Sequence, residues 1–551
     1  MASDYTVSDM VAEFLAACGV TTAFGIASVH NIPMLDAIGR RNTIRFMMAR
    51  GELGGAHMAD GYARVSGGLG VLFSSTGPGA ANAIGGLIEA RFSGSPVLHI
   101  TGMTTSKYAD RDMGTVHDPI DQLGMMRSVC KAAYRVRSAQ QALGILTRAV
   151  VEALTAPAGP VSVEIPIDLQ RVKIERPAML DSFVLPLPPG RTPTDIEMNE
   201  LAARVRAAKR PMLWIGSGAR MAAAEIHQLL DMGFTAVNSI NGKGTVSEAH
   251  PMSLGGLHGN GMPGVQEFYQ TADLLLAVGT RLRGQETGDF VVKLPSNIVH
   301  IDCDPAANGR TYPDTYFVCG DAKLTLQALL PRLSGQMAID PAYKNDFAAL
   351  KKKVTADFLE TLGVYGGFCQ QLRDVLPKDA IWARDVTQNN STWGNRLFPI
   401  DSPRQNVFPV GAGIGQGLAL GLGAAAAAGN RKTIVMTGDG GFFLNMGELW
   451  TAVQENLDMV VLVMNDRGYG VIKRIQDATQ GRRFFADLQG PELEKLAALS
   501  DIPYFKCSSA GTFGSTVAKA LAIKGLTMVE VDMVAVGEFP PYYPFNIRPA
   551  G

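Results

Sequence analysis

The sequence predicts an α/β protein made of three doubly wound parallel sheets in succession. Three observations carry that expectation. Short apolar, β-type runs alternate with helix-periodic stretches along the whole chain, as buried parallel strands and their crossover helices do. Two seams interrupt the alternation, a proline-rich one at 185–193 and another between Leu333 and about Lys351, where Ser, Gly and charged residues break the apolar pattern. Several apolar runs also end in glycine-rich turns carrying a polar residue, as 433–437 does at Gly438-Asp439-Gly440. At 551 residues the chain exceeds what one hydrophobic core supports, so several domains are expected.

The first domain, 1–185, has strand-like runs at 22–26, 44–49, 71–76 and 160–166. The second, 192–335, has them at 211–216 and 273–279. The third, 352–551, has them at 433–437 and 459–464. The apolar stretch 411–428 is rich in Gly and Ala and contains Gln416. It reads as a buried helix packed closely on a sheet, not as a membrane span.

Composition narrows the function classes. Hydrophobic residues make up 46% and charged residues 18%, and the net charge of -1 offers no basic footprint for nucleic acid. Six cysteines (Cys18, Cys130, Cys303, Cys319, Cys369, Cys507) lack CxxC spacing, so they read as thiols in a reducing compartment rather than disulfides or zinc ligands. The amino terminus has no basic region followed by an apolar core. A cytoplasmic protein without membrane or nucleic-acid partners is expected.

The chemistry concentrates at two runs in the third domain. Asp439 follows the run 433–437, and Asn465 ends the run 459–464, twenty-six positions after the aspartate. Adjacent parallel strands that each deliver one oxygen ligand make half a site for a hard cation. Mg²⁺ takes few protein groups and completes its octahedron with phosphate oxygens. The glycines beside Asp439 let N–H groups approach such phosphates. An aspartate at such a turn also serves as a plain helix cap, the competing reading.

The segment Gly438 to Asn465 resembles the thiamine diphosphate fingerprint. A second segment, Arg50-Gly51-Glu52 through Gly61-Tyr62-Ala63-Arg64, resembles the part of acetolactate synthases and benzoylformate decarboxylases that carries the activating glutamate. Val71-Leu72-Phe73-Ser74-Ser75-Thr76-Gly77-Pro78-Gly79-Ala80-Ala81-Asn82 is similar to that family's strand and TSGPGATN turn over the pyrimidine ring. The chain is thereby identified as similar to the thiamine-diphosphate-dependent 2-oxo acid decarboxylases and carboligases over nearly its whole length. The resemblance implies pyrimidine-binding, central and diphosphate-binding domains in that order.

It also implies roles residue by residue. Asp439 and Asn465 ligate Mg²⁺ with the backbone carbonyl of Arg467, and Gly440 and Gly441 face the diphosphate. Asp385-Val386-Thr387-Gln388-Asn389-Asn390 aligns with the phosphate-side DVGQHQ loop, which makes Thr387, Gln388 and Asn389 candidates. The same residues also suit a plain polar turn. Gly411-Ala412-Gly413-Ile414-Gly415-Gln416-Gly417 fails the GxGxxG dinucleotide pattern at Gln416 and aligns with the family's GGLGTMG loop. There Ile414 wedges between the cofactor rings, and the Ala412 carbonyl holds the 4′-amino group. Glu52 hydrogen-bonds the pyrimidine nitrogen and promotes loss of the thiazolium proton. The cofactor then acts as electron sink for CO₂ loss from a 2-oxo acid.

The family places Glu52 and the metal site on different subunits, so a homodimer or homotetramer with interfacial active sites follows. His30 and His117 are substrate-side candidates, since histidine delivers protons near neutral pH; a loop histidine is also commonly structural. His57 reads as packing. Ser253-Leu254-Gly255-Gly256-Leu257-His258-Gly259 resembles the loop that lines FAD in flavin-bearing members, which adds FAD as a candidate cofactor. Two departures argue against the best-known specificities. No Trp follows Asn465 in Gly468-Tyr469-Gly470-Val471-Ile472, unlike acetolactate synthases, and Ser75 stands where benzoylformate decarboxylases have histidine. A C–C hydrolase or lyase acting on a diketone or acyl-CoA, and a non-catalytic cofactor-binding subunit, remain as alternatives.

Overall fold

The computed structural model describes residues 4–258 and 263–540. Three parallel sheets follow one another along the chain, each flanked by helices. The first contains β1 (Thr22–Gly25), β2 (Arg45–Met48), β3 (Gly70–Ser74), β4 (Val97–Met103), β5 (Ala132–Arg135) and β6 (Val161–Pro166), ordered β2-β1-β3-β4-β6-β5. The central sheet contains β7 (Pro211–Ile215), β8 (Thr235–Asn238), β9 (Leu274–Val278), β10 (Ile298–Asp302) and β11 (Thr315–Cys319), ordered β11-β10-β9-β7-β8. The third contains β12 (Ile381–Arg384), β13 (Asn406–Val407), β14 (Thr433–Gly438), β15 (Met459–Asn465), β16 (Tyr504–Cys507) and β17 (Thr527–Asp532), ordered β13-β12-β14-β15-β17-β16. The first and third sheets therefore share one topology. In each sheet the chain reverses its winding beside the first strand, which opens a crevice at the strands' carboxyl ends.

The third sheet lies between two cores. Along β14, Ile434 and Met436 join a cluster with Trp214, Trp382 and Trp393, while Val435 joins one with Phe24, Leu72 and Leu418. Alternating faces thus bury against the central and the first units, and both faces are apolar, as parallel strands require.

Two helices bind the first unit to the third. Helix Glu52–Ser66 crosses helix Gly417–Ala426 with their backbones in contact. A Cβ on Gly61 would collide with the Leu420 carbonyl, and one on Gly423 with the Met58 carbonyl. Only glycine permits that approach.

The elements differ from expectation in two places. The helix expected over 411–428 starts at Gly417, because 411–416 forms a loop with Ala412 in the left-handed region at φ +62°. A helix, Tyr343–Glu360, occupies much of the segment read as the second seam. Its buried stripe Tyr343, Phe347, Val354 and Phe358 has helical spacing beneath a charged outer face. No helix among the described residues is long and apolar enough to cross a membrane.

Candidate active site

The carboxyl edge of the third sheet assembles the metal candidates. Gly438 of β14 pairs with Met464 of β15, so Asp439 and Asn465 leave neighbouring strands side by side. Asp439 is buried at the start of helix Asp439–Leu444. Its Oδ2 accepts the Gly468 N–H at 2.8 Å, whereas Oδ1 is buried with no hydrogen-bond partner. The Asn465 amide donates to Glu530 Oε1 at 2.8 Å, and its Oδ1 accepts the Arg467 N–H at 3.2 Å.

Asp466, which the sequence reading did not name, stands beside Asp439. Burial and the Asp439 charge push its carboxyl up to about 7, and burial also raises Asp439. Two carboxyls and an orphaned oxygen form a donor set that suits a hard cation. Arg467 has φ +57°, and its carbonyl accepts from Leu488 N–H and Lys473 Nζ, both at 3.1 Å.

A cavity of about 530 Å³ opens over this edge. Thr387, Gln388, Asn389, Gly440 and Gly441 line it together with Ala412 and Ile414. Ile414 is 43% exposed, so an apolar side chain projects where a ligand would cover it. A Cβ on Gly440 would stand 2.7 Å from the Tyr469 ring, and one on Gly441 2.9 Å from Asp385 Oδ2. Glycine is thus needed here for packing as well as for N–H access. Gln388 Nε2 donates to Asp466 Oδ2 at 2.9 Å, and Thr387 Oγ1 accepts the Asn390 N–H at 2.9 Å. Asn389 turns its side chain inward: Oδ1 accepts from Trp393 Nε1 at 2.7 Å and Nδ2 reaches Met533 Sδ at 3.5 Å.

Asp385, which opens the segment aligned with the phosphate-side loop but was given no role there, holds the Ile414 loop. Fully buried after β12, it accepts the N–H groups of Val386, Gly415 and Gly417 at 2.7, 3.1 and 3.0 Å. Burial lifts its carboxyl to about 6. The available signal was an acidic residue directly after an apolar strand, facing a glycine-rich loop.

The first sheet gathers the other candidates. Glu52 is buried in the first turn of its helix, and Asn82 Nδ2 donates to its Oε2 at 3.2 Å. His30 and His117, 87 positions apart in sequence, have ring centroids 5.6 Å apart. His30 Nδ1 is buried without a partner, and burial together with His117 lowers the His30 pKa. His117 adopts φ +61° in an exposed loop. His57 is buried, which drives it down to about 4, in keeping with a packing role. The walls of the cavity over Asp439 come from 240–286 and 386–533, and Glu52, Asn82, His30 and His117 are not among them.

A second cavity of about 580 Å³ lies at the carboxyl ends of β7, β9 and β10. Of the loop compared with flavin-lining segments, Gly256 and His258 border the first cavity, and Gly259 lies outside the described residues.

Comparison with known proteins divides the chain in the same order. Residues 5–125 match the thiamine pyrophosphate enzyme N-terminal TPP binding domain, 198–329 the central domain and 385–531 the C-terminal TPP binding domain. The chain belongs to the thiamine pyrophosphate enzymes, and its cofactor is thiamine diphosphate. It is 31% identical to the probable 2-ketoarginine decarboxylase of Pseudomonas aeruginosa, over 91% of this chain and 87% of that one. It is 28% identical to the acetolactate synthase isozyme 1 large subunit of Escherichia coli, over 88% and 85% of the two chains. Identity to the probable acetolactate synthase large subunit of Methanococcus aeolicus is also 28%, over 84% and 81%.

Proposed function

We propose that the protein uses Mg²⁺ and thiamine diphosphate to decarboxylate a 2-oxo acid, to ligate the resulting fragment to a second carbonyl, or both. The observation that carries this reading is the buried, unpartnered Asp439 Oδ1 beside Asn465 and Asp466, under a cavity bordered by Gly440, Gly441 and Ile414. When bound, thiamine diphosphate supplies the electron sink for loss of CO₂. Asp439, Asn465 and the backbone carbonyl of Arg467 would hold Mg²⁺ against the diphosphate, with Asp466 adding charge nearby. The Gly440 and Gly441 N–H groups would receive phosphate oxygens, and Ile414 would press between the rings.

Glu52 would hold a proton on its carboxylate beside the pyrimidine, with Asn82 orienting it. His30, kept neutral near pH 7 by burial, would take or return a proton at Nδ1, assisted by His117. Because Glu52 does not border the Asp439 cavity of its own chain, a homodimer or homotetramer would complete each site with the partner's glutamate. The scattered cysteines fit a cytoplasmic location, and FAD, if carried, is identified by flavin absorbance of the purified protein.

The test is a product screen of the Mg²⁺- and cofactor-loaded protein with pyruvate, longer 2-oxo acids, 2-ketoarginine, diketones and acyl-CoA. CO₂ release from a 2-oxo acid is expected. Cleavage of a diketone or acyl-CoA without CO₂ release from any 2-oxo acid would contradict the reading. Absence of proton exchange on the thiazolium carbon would show a non-catalytic binder.

A further inference from the structure

Two buried glutamates outside both groups of candidate residues occupy equivalent places in the fold. Glu89 sits on helix Ile84–Ser93 between β3 and β4, and Glu448 ends the helical turn Met446–Glu448 between β14 and β15. In the shared strand order, β3 corresponds to β14 and β4 to β15. Each side chain crosses to the other unit. Glu448 accepts the Arg50 N–H at 3.1 and 3.2 Å and the Gly51 N–H at 3.1 Å, the two residues directly before Glu52. Glu89 accepts the Val410 N–H at 2.6 Å and the Gly411 N–H at 2.9 Å, the two residues directly before Ala412. Residues 50–51 follow β2 and residues 410–411 follow β13, which are again equivalent strands.

Both carboxyls are nearly inaccessible, at 2% for Glu448 and 1% for Glu89. Their remaining bonds keep them in place: Thr451 Oγ1 donates to Glu448 at 2.7 Å, and Arg64 Nη2 to Glu89 at 2.9 Å. Arg64 is itself ion-paired with Asp60. A buried carboxylate that bonds two successive N–H groups fixes the backbone at that point more firmly than a neutral acceptor does.

We propose that Glu448 and Glu89 are reciprocal positioning residues: each unit uses one glutamate to set the backbone from which the other unit presents its cofactor-contacting residue. Glu448 sets Glu52, and Glu89 sets the Ala412–Ile414 loop. Neither glutamate lines the cavity over Asp439, so each acts through the segment it holds.

The inference rests on the roles proposed above for Glu52 and Ala412, and its test separates the two. Proton exchange at the thiazolium carbon and affinity for Mg²⁺–thiamine diphosphate are measured in wild type, Glu52→Gln, Glu448→Gln and Glu89→Gln. Since small misplacements cost up to about 10²-fold, Glu448→Gln is expected to slow exchange about 10- to 100-fold at saturating cofactor, with affinity held within about threefold. Glu89→Gln is expected to weaken affinity about tenfold and to slow exchange as well. Slowed exchange in Glu52→Gln but wild-type exchange in Glu448→Gln overturns the inference. So does the same pattern in both clamp variants, explained by lowered thermal stability alone. Wild-type exchange in Glu52→Gln overturns the functional reading instead. If the clamp variants do not fold, amide hydrogen exchange of the wild-type holoprotein decides: peptides spanning 50–51 and 410–411 are expected to be strongly protected, and rapid exchange there rejects the clamps.

Discussion

The first and third sheets share a strand order and differ in what stands at their carboxyl edges. In the third, β14 and β15 end in Asp439, Asn465 and Asp466, an acidic edge with one unpartnered oxygen. In the first, β3 runs into Ser75, Thr76 and Gly77, and the ionisable groups are Glu52 and the His30–His117 pair. All eight histidines lie at or before His300, so the third unit has none. On the proposed reading, one topology serves both as an edge that would grip a charged tail through a cation and as an edge that would handle protons. Topology supplies the crevice, and side chains decide its use.

Variants that strike one edge at a time break the comparison most sharply. Glu52→Gln is expected to lower turnover about 10²–10⁴-fold, the range for a lost acid–base group. Cofactor affinity, measured by titration, should stay near wild type. Asp439→Asn should do the reverse, weakening Mg²⁺-dependent cofactor binding by roughly 10²-fold, at least what outer-sphere partners of a metal cost. Its remaining defect should shrink as Mg²⁺ is raised. Ile414→Ala, which trims the exposed side chain without touching charge, should reduce turnover about tenfold through loss of orientation. Equal effects of all three on affinity and turnover would erase the division between the edges.

The pH dependence of stability should also differ between the units, with opposite signs. Buried His57 and His258, held down to about 4, cannot take the proton that the unfolded chain accepts below about 6.5. The unfolded state then binds more protons, so the first and central units lose stability as pH falls from 6.5 toward 4. Asp385, lifted to about 6, has the opposite sign. Its folded form holds a proton that the unfolded chain has released above about 3.9, so its contribution is full at low pH and is lost as pH rises toward 6. Each group is worth on the order of 1–3 kcal/mol. Amide exchange of the cofactor-free protein between pH 4 and 6 should show protection rising with pH around His57 and falling with pH around Asp385.

Much of this division was legible in the sequence because it is local. A β-type run ending in Gly438-Asp439-Gly440 and another ending in Asn465 declare neighbouring strands with polar residues at their ends, and Glu52 opens a helix after its own strand. What escaped the sequence depends on contacts between distant segments. Asp466 matters because Asp439 is beside it, and Asp385 because a loop 30 residues later folds onto it. Glu89 meets its backbone partners 321 and 322 positions away. Turn geometry was hidden for a related reason. Ala412 adopts left-handed backbone that its side chain does not announce, which shortens one expected helix.

The most direct test mixes two inactive variants. Glu52→Gln chains and Asp439→Asn chains are dissociated together, reassembled with Mg²⁺ and thiamine diphosphate, and assayed for CO₂ release. If each site takes its glutamate from one chain and its cation site from another, half the dimers are mixed and each has one intact site. Activity then returns to about one quarter of wild type, as a two-fold interface requires. A mixture as inactive as its components would contradict the account, since every site would then be built from a single chain.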